Sequence, residues 1–417
     1  MKKRGHKLQT SSGSRNKRKR YLYHLENGEQ EEANESLVNF GHSLAVKKQN
    51  MPTNPLLSVK RLGQSIWLDY IQRALLTTGE FQHMVNNDGI SGVTSNPAIL
   101  EKAIVEHHDY DAAIKATHAR DAASLYEELA ITDLQQAADM LAPQFSASQG
   151  RDGFVSMEVS PRLAYDTKAT VEEARRLWSI LDRPNGLIKV PATRAGIVAI
   201  SELIAEGINV NATLLFSLQR YTEVAQAYLT GLENRAEKGE PLVNVASVAS
   251  FFLSRIDTLV DSKLDALTAN PTRQQVQALR GETAIASARL AYQEYKRLFA
   301  GDRWQPLAAA GARSQLLLWA STSTKDPGYS DVKYIDALIG IDTINTLPLE
   351  TLAAYRDHGN PALRLEQDID RARFTLDGLA ELGLDLDALT EQLEQEGVQK
   401  FINAYTALLK NLNQRIN

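Results

Sequence analysis

The 417-residue sequence contains no cysteine. That absence excludes disulfides, thiolate nucleophiles and cysteine-ligated zinc or iron–sulfur centres, and it fits a cytoplasmic protein. No apolar run approaches the roughly 20 residues that span a bilayer, so no membrane segment is expected. Neither G-x-G-x-x-G nor G-x-x-x-x-G-K-[ST] occurs, and no glycine is followed by lysine anywhere. The usual dinucleotide and P-loop phosphate cradles are therefore missing. His107-His108 has no partner at a metal-ligand spacing and reads as surface. The expectation is chemistry that needs neither a cofactor nor a metal.

What is present is enough apolar material for a large core, 43% of all residues, with an ordinary 23% charged. The net charge of −5 argues against nucleic acid as a partner of the folded part. Residues 1–51 stand apart. Their first twenty positions hold nine Lys and Arg and no acid; Glu26, Glu29, Glu31, Glu32 and Glu35 then reverse the sign. There is no apolar core of a secretory signal. Such a stretch buries too little apolar surface to offset its ordering entropy, so a disordered basic extension is expected, followed by one folded domain over 52–417. It reads as a dispensable arm, with a nucleic-acid tail or transit peptide as the alternatives.

From residue 52 onward, short apolar runs alternate with helical patterns. Strands are expected at 65–70, 89–94, 154–159, 187–190, 208–213, 243–251, 314–319 and 341–345. Residues 101–149 read as a helical insertion between strands two and three, broken near Pro143, and the chain ends in helices. Strands that alternate with helices imply parallel pairing through crossovers. Eight is the number that closes a (β/α)8 TIM barrel, the expected fold; a doubly wound open sheet is the alternative.

In such a barrel, function sits where strands end. The residues there are polar: Asp69, Asn96, Glu158, Lys189, Asn211, Thr213, Ser250, Arg255 and the loop Ser321–Lys325, with Asp342, Thr343 and Asn345 assigned to strand eight. Lys189 is the focal one, a lysine inside the apolar run at 187–190 that Pro191 closes. Lysine is rarely buried without a compensating partner. It is either paired off structurally or used; desolvation favours the neutral amine, which attacks carbonyls. Each neighbour also has a plain structural role open to it. Asp69 could cap a helix, Glu158 could neutralise Lys189, Asn211 and Thr213 could serve turns, and Arg255 could be solvated. Taken together, an amine, two carboxylates, hydrogen-bonding hydroxyls and amides, and two cations suit Schiff-base chemistry on a phosphorylated sugar.

Six segments resemble the transaldolase family, especially its longer bacterial form: Trp67-Leu68-Asp69, Gly92–Pro97, Ser156–Arg162, Ile188–Thr193, Ile208–Ser217 and Ser247–Arg255. Together they run from about residue 60 to 350. The resemblance implies that Lys189 forms the Schiff base, that Asp69 deprotonates the C4 hydroxyl, and that Glu158 moves protons through a water held by Thr213. It implies that Asn96 and Asn211 hold the dihydroxyacetone hydroxyls. Ser250 and Arg255 would form part of the phosphate site, with Lys325 as a further basic residue. It also implies sugar-phosphate substrates and transfer of a dihydroxyacetone unit in the non-oxidative pentose phosphate pathway. Two rivals remain at this level: a fructose 6-phosphate aldolase that releases dihydroxyacetone, and a non-catalytic sugar-phosphate-binding protein. The sequence carries no signal for oligomeric state.

Overall fold

Eight short strands are the frame: β1 (Gln64–Leu68), β2 (Ile90–Thr94), β3 (Phe154–Glu158), β4 (Gly186–Pro191), β5 (Val210–Leu215), β6 (Ser247–Phe252), β7 (Leu316–Ala320) and β8 (Thr343–Leu347). All neighbours pair in parallel, and β8 returns to β1, so the sheet closes into a barrel in sequence order. The computed structural model describes residues 54–417 except 118, 120, 268–272 and 417. The extension expected over 1–51 lies outside the described residues.

The strands are nearly continuous apolar runs because helices cover their outer side and packed side chains fill their inner side. Ile188, Val190, Val210 and Leu215 are fully buried. After β2, β4 and β5 the chain enters the next helix through a capping side chain. Asn96 accepts from the Ala98 and Ile99 amides, Thr193 from the Gly196 amide and Ser217 from the Arg220 amide. A side-chain oxygen there satisfies amides that the first helical turn leaves unpaired. One glycine is sterically required: a Cβ on Gly92 of β2 would lie 2.3 Å from the Trp67 ring, which fills the barrel interior.

All eight expected strands form, but four were placed too early. β5, β7 and β8 begin two residues later than expected, and β6 begins at Ser247 rather than 243. For β8 the shift changes the meaning. Leu347 does not close the strand; its carbonyl accepts the Asp69 amide at 2.8 Å. Asp342 therefore precedes the strand, and Thr343 is bonded to Gly340 and Gln64 at the barrel's N-terminal end. Asn345 is fully buried, paired in register with Trp319. The mouth residue of β8 is Thr346.

The insertion between β2 and β3 comprises helices Pro97–Val105, Asp111–Ala116 and Ala122–Ala147. The expected break near Pro143 does not occur: the last helix runs through it to Ala147. Only one turn follows that proline, so few backbone bonds are at stake. The chain ends in helices Leu349–His358, Ile369–Glu381 and the 31-residue Leu386–Ile416. This last helix is tied to the segments that follow β2, β3 and β5. Arg162 donates to Thr406 Oγ1 at 3.1 Å, Arg220 pairs with Glu394 at 3.0 Å, and Arg415 pairs with Asp111. No helix among the described residues is long and apolar enough to cross a membrane.

Candidate active site

Lys189 sits on β4, in register with Glu158 on one side and Asn211 on the other. That register places a cation, a carboxylate and an amide on the same inner face. Lys189 Nζ lies 3.5 Å from Glu158 Oε2 and donates to the Ser95 carbonyl at 3.1 Å. Both side chains are almost fully buried. The ion pair that a purely structural role would require therefore exists, but it does not satisfy the carboxylate: neither Glu158 oxygen has a hydrogen-bond partner in the protein. Burial pushes the Glu158 carboxyl up to about 7, with Lys189 opposing and Asp69 reinforcing the shift. An acid poised near neutrality can give and take a proton at physiological pH.

A cavity of about 350 Å³ opens onto Lys189 from the C-terminal end of the barrel. Two other cavities, of about 570 and 760 Å³, are larger. Chemistry rather than size singles out this one, because it alone contains the amine. Asp69, from the end of β1, lines the same cavity. It caps no helix; the short helix that follows is headed by Gln72. Asp69 instead accepts from Thr94 Oγ1 at 2.7 Å, and Thr94 is bonded in turn to Thr346 Oγ1 at 2.7 Å. Asp69 is half-buried, its remaining exposure facing the cavity. Desolvation raises its carboxyl above the usual range, against the pull of Lys189 and the Thr94 hydroxyl. Two carboxylates with raised proton affinity thus flank one amine.

The remaining expected residues divide between the cavity wall and the layer behind it. Thr213 lines the cavity; its Oγ1 is buried without a partner. Asn96 lines it too, with its Oδ1 engaged in helix capping. Ser250 reaches the wall and donates to Asn211 Oδ1 at 2.7 Å, while Asn211 Nδ2 donates to Ser156 Oγ at 3.1 Å. Asn211 is itself fully buried and is not part of the wall. Arg255 is no surface charge. It faces the cavity with a buried Nη1 that lacks a partner, its guanidinium 5.4 Å from the Phe252 ring, and desolvation lowers its pKa. Lys325 stands at the exposed rim, donating to Ser323 Oγ at 2.6 Å.

Three features of the site escaped the sequence. Phe401 of the C-terminal helix lines the cavity, with the Lys189 ammonium 5.8 Å from its ring. Thr346 belongs to the hydrogen-bond chain that ends on Asp69, and Lys102 and Glu350 line the mouth. An aromatic ring over the amine excludes water and lowers the local dielectric. Among the described residues, no group of three His, Asp or Glu is placed to hold a metal.

A closed (β/α)8 barrel with a buried lysine between two carboxylates has the constitution of a Schiff-base enzyme acting on carbonyl compounds. Comparison with known proteins makes this specific. Residues 66–412 match the family described as Transaldolase/Fructose-6-phosphate aldolase. A transaldolase of Thiobacillus denitrificans is 50% identical over 356 residues, 85% of this chain and 98% of the relative. One of Trichodesmium erythraeum is 45% identical over 374 residues, 88% and 98% of the two chains. The chain belongs to the transaldolase/fructose-6-phosphate aldolase family, and it is an enzyme. The match runs past the expected limit near residue 350 to 412, taking in the helix that carries Phe401.

Proposed function

We propose that this enzyme is a transaldolase that moves a dihydroxyacetone unit from sedoheptulose 7-phosphate or fructose 6-phosphate to an aldose phosphate. The observation that carries the reading is the Lys189 amine, buried 3.5 Å from Glu158 in a cavity that Asp69 also lines. The names of the relatives support it.

The Lys189 ammonium gives a proton to Glu158, 3.5 Å away, and the neutral Nζ attacks the ketose carbonyl at C2 to give, after transfer of an N–H proton to the oxygen, a carbinolamine. Glu158 protonates the departing hydroxyl, water leaves, and an iminium remains. Thr213 Oγ1 and the Glu158 oxygens are buried polar atoms that need partners, and one water between them would satisfy both and carry the proton. Asp69 then removes the proton of the C4 hydroxyl. The C3–C4 bond breaks, its electron pair flows into the iminium to form an enamine, and the aldose phosphate departs. The enamine carbon attacks the acceptor aldehyde, Asp69 returns its proton to the new hydroxyl, and water adds back to free Lys189. Asn96 orients the dihydroxyacetone hydroxyls, and Asn211, behind the wall, acts through Ser250, whose hydroxyl donates to it. Arg255, Ser250 and, at the rim, Lys325 hold the phosphate by charge-assisted hydrogen bonds.

Phe401 bears on the outcome of the enamine. A covered amine favours capture by an aldehyde over release of dihydroxyacetone. The test is product analysis with fructose 6-phosphate, with and without erythrose 4-phosphate. Sedoheptulose 7-phosphate formed only with the acceptor, and little free dihydroxyacetone without it, is the expected result. Fast dihydroxyacetone release without acceptor would reassign the enzyme to the aldolase side of its family.

The same reading places the enzyme in the cytoplasm, since phosphorylated sugars do not cross membranes unaided. It also makes 52–417 the catalytic domain and 1–51 dispensable. Unchanged turnover after deletion of residues 1–50 is expected.

A further inference from the structure

The largest of the three cavities, about 760 Å³, is at the opposite end of the barrel from Lys189. Its inner end reaches Ser65 of β1, Phe154 of β3 and Leu316 of β7, and its outer wall is aromatic. Trp304 meets Phe299 edge-on at 5.1 Å between ring centroids, and Tyr295 lies 5.2 Å from Phe299.

Two guanidiniums face this wall. Arg313 donates to the Gly150 carbonyl at 2.8 Å, and Arg151 follows directly in the same loop. Neither has a carboxylate partner among the described residues. Arg313 is half-buried, and burial together with the like charge of Arg151 lowers its pKa. The loop is built to admit Arg313. Gly150 has φ +73°, and a Cβ there would lie 2.7 Å from Arg313 Nη1. Of the two carboxylates that line the cavity, Asp152, next to Arg151, is already engaged. Asp152 accepts from Ser65 Oγ at 2.6 Å, from Trp67 Nε1 at 2.9 Å and from the Gly153 amide at 2.9 Å. Asp342, at the cavity edge, offers an acceptor suited to a hydroxyl.

We propose that this cavity is a second binding site, for a small ligand that joins a phosphomonoester to a flat ring. Two arginines on one cavity, neither paired with a carboxylate among the described residues, suit a phosphate dianion, which a guanidinium binds by charge-assisted hydrogen bonds. The aromatic wall suits a planar ring, stacked or edge-on. A sugar phosphate alone would leave that wall uncovered. A nucleoside monophosphate fills both halves.

Calorimetric titration tests the assignment, with adenosine 5′-monophosphate, adenosine and inorganic phosphate as separate probes. The intact enzyme should bind the nucleotide more tightly than either fragment. Arg151→Ala/Arg313→Ala should weaken it by roughly tenfold or more, the loss expected for charged hydrogen bonds, while leaving fructose 6-phosphate turnover unchanged. Arg151→Ala alone removes an exposed side chain, so it should fold and show part of the loss. Arg255→Ala should bind the nucleotide as the intact enzyme does, which separates this site from the catalytic phosphate site. Three results would each overturn the proposal: no nucleotide binding at millimolar concentration, equal binding by the double variant, or inorganic phosphate binding as tightly as the nucleotide.

Discussion

The two ends of the barrel are built from the same eight strands, yet they treat polar side chains in opposite ways. At the N-terminal end, Asp152 has three donors, and Asn209 bridges the Pro184 and Gly186 carbonyls while accepting the Ala246 amide. At the C-terminal end, both Glu158 oxygens, the Thr213 hydroxyl and one Arg255 nitrogen are buried with no protein partner. Each unsatisfied buried group costs about 1–3 kcal/mol. A bound ligand or an ordered water can satisfy groups left in this way. Of the two ends, the C-terminal one is where the unsatisfied groups include a carboxylate and a guanidinium. The N-terminal end also leaves Gln64 Oε1 and Gln315 Oε1 without a partner, but these are neutral amides whose nitrogens are bonded.

Substitutions at the two ends should therefore fail in different ways. The largest effect is expected from Asp69→Asn, which keeps shape but cannot accept the C4 proton. Its kcat should fall by about 10²- to 10⁴-fold with the melting temperature nearly unchanged, as steady-state kinetics and calorimetry would show. Arg255→Ala should act next most strongly, raising KM for fructose 6-phosphate by about 10- to 100-fold with a smaller change in kcat. Asp152→Ala should reverse the pattern. The Trp67 indole and Ser65 hydroxyl lose their acceptor, so stability should drop by roughly 1–3 kcal/mol in urea unfolding while turnover of the folded fraction survives.

The smallest effect concerns pH. The Glu158 carboxyl is raised from 4.5 to about 7 by burial, so folding binds a proton more tightly than the unfolded chain does. Its stabilising contribution is complete below pH 4.5 and is lost as pH rises through about 7. Glu158→Gln should flatten the decline in melting temperature over that window. An unaltered decline would mean that another group is responsible.

Much of the mouth was legible because a buried parallel strand is an apolar run, so a charged residue within it, at its last position or just past it stands out. Asp69, Glu158 and Lys189 could be found in this way. Register was harder to read. Ser314 and Gln315 look like the start of β7, but Ser314 is bonded to Tyr295 and Gln315 Nε2 donates to Ser247 Oγ, so the ladder begins at Leu316. Leu347-Pro348 looks like a strand stop, yet Leu347 still belongs to β8. Phe401 gave no local signal. It sits in a long amphipathic helix, and that helix's distant ties, among them those to Arg162, Arg220 and Asp111, bring it over Lys189. The N-terminal cavity likewise joins a loop after one helix to aromatics of another, which no local pattern connects.

The account stands on Lys189 as the group that captures the sugar carbonyl. Borohydride reduction in the presence of fructose 6-phosphate, followed by peptide mass spectrometry, tests it directly. The expected result is a dihydroxyacetone- or hexose-derived adduct on the peptide containing Lys189, absent from a folded Lys189→Ala protein that has also lost turnover by roughly 10⁴-fold or more. An adduct on a different lysine, or full turnover in Lys189→Ala, would contradict it.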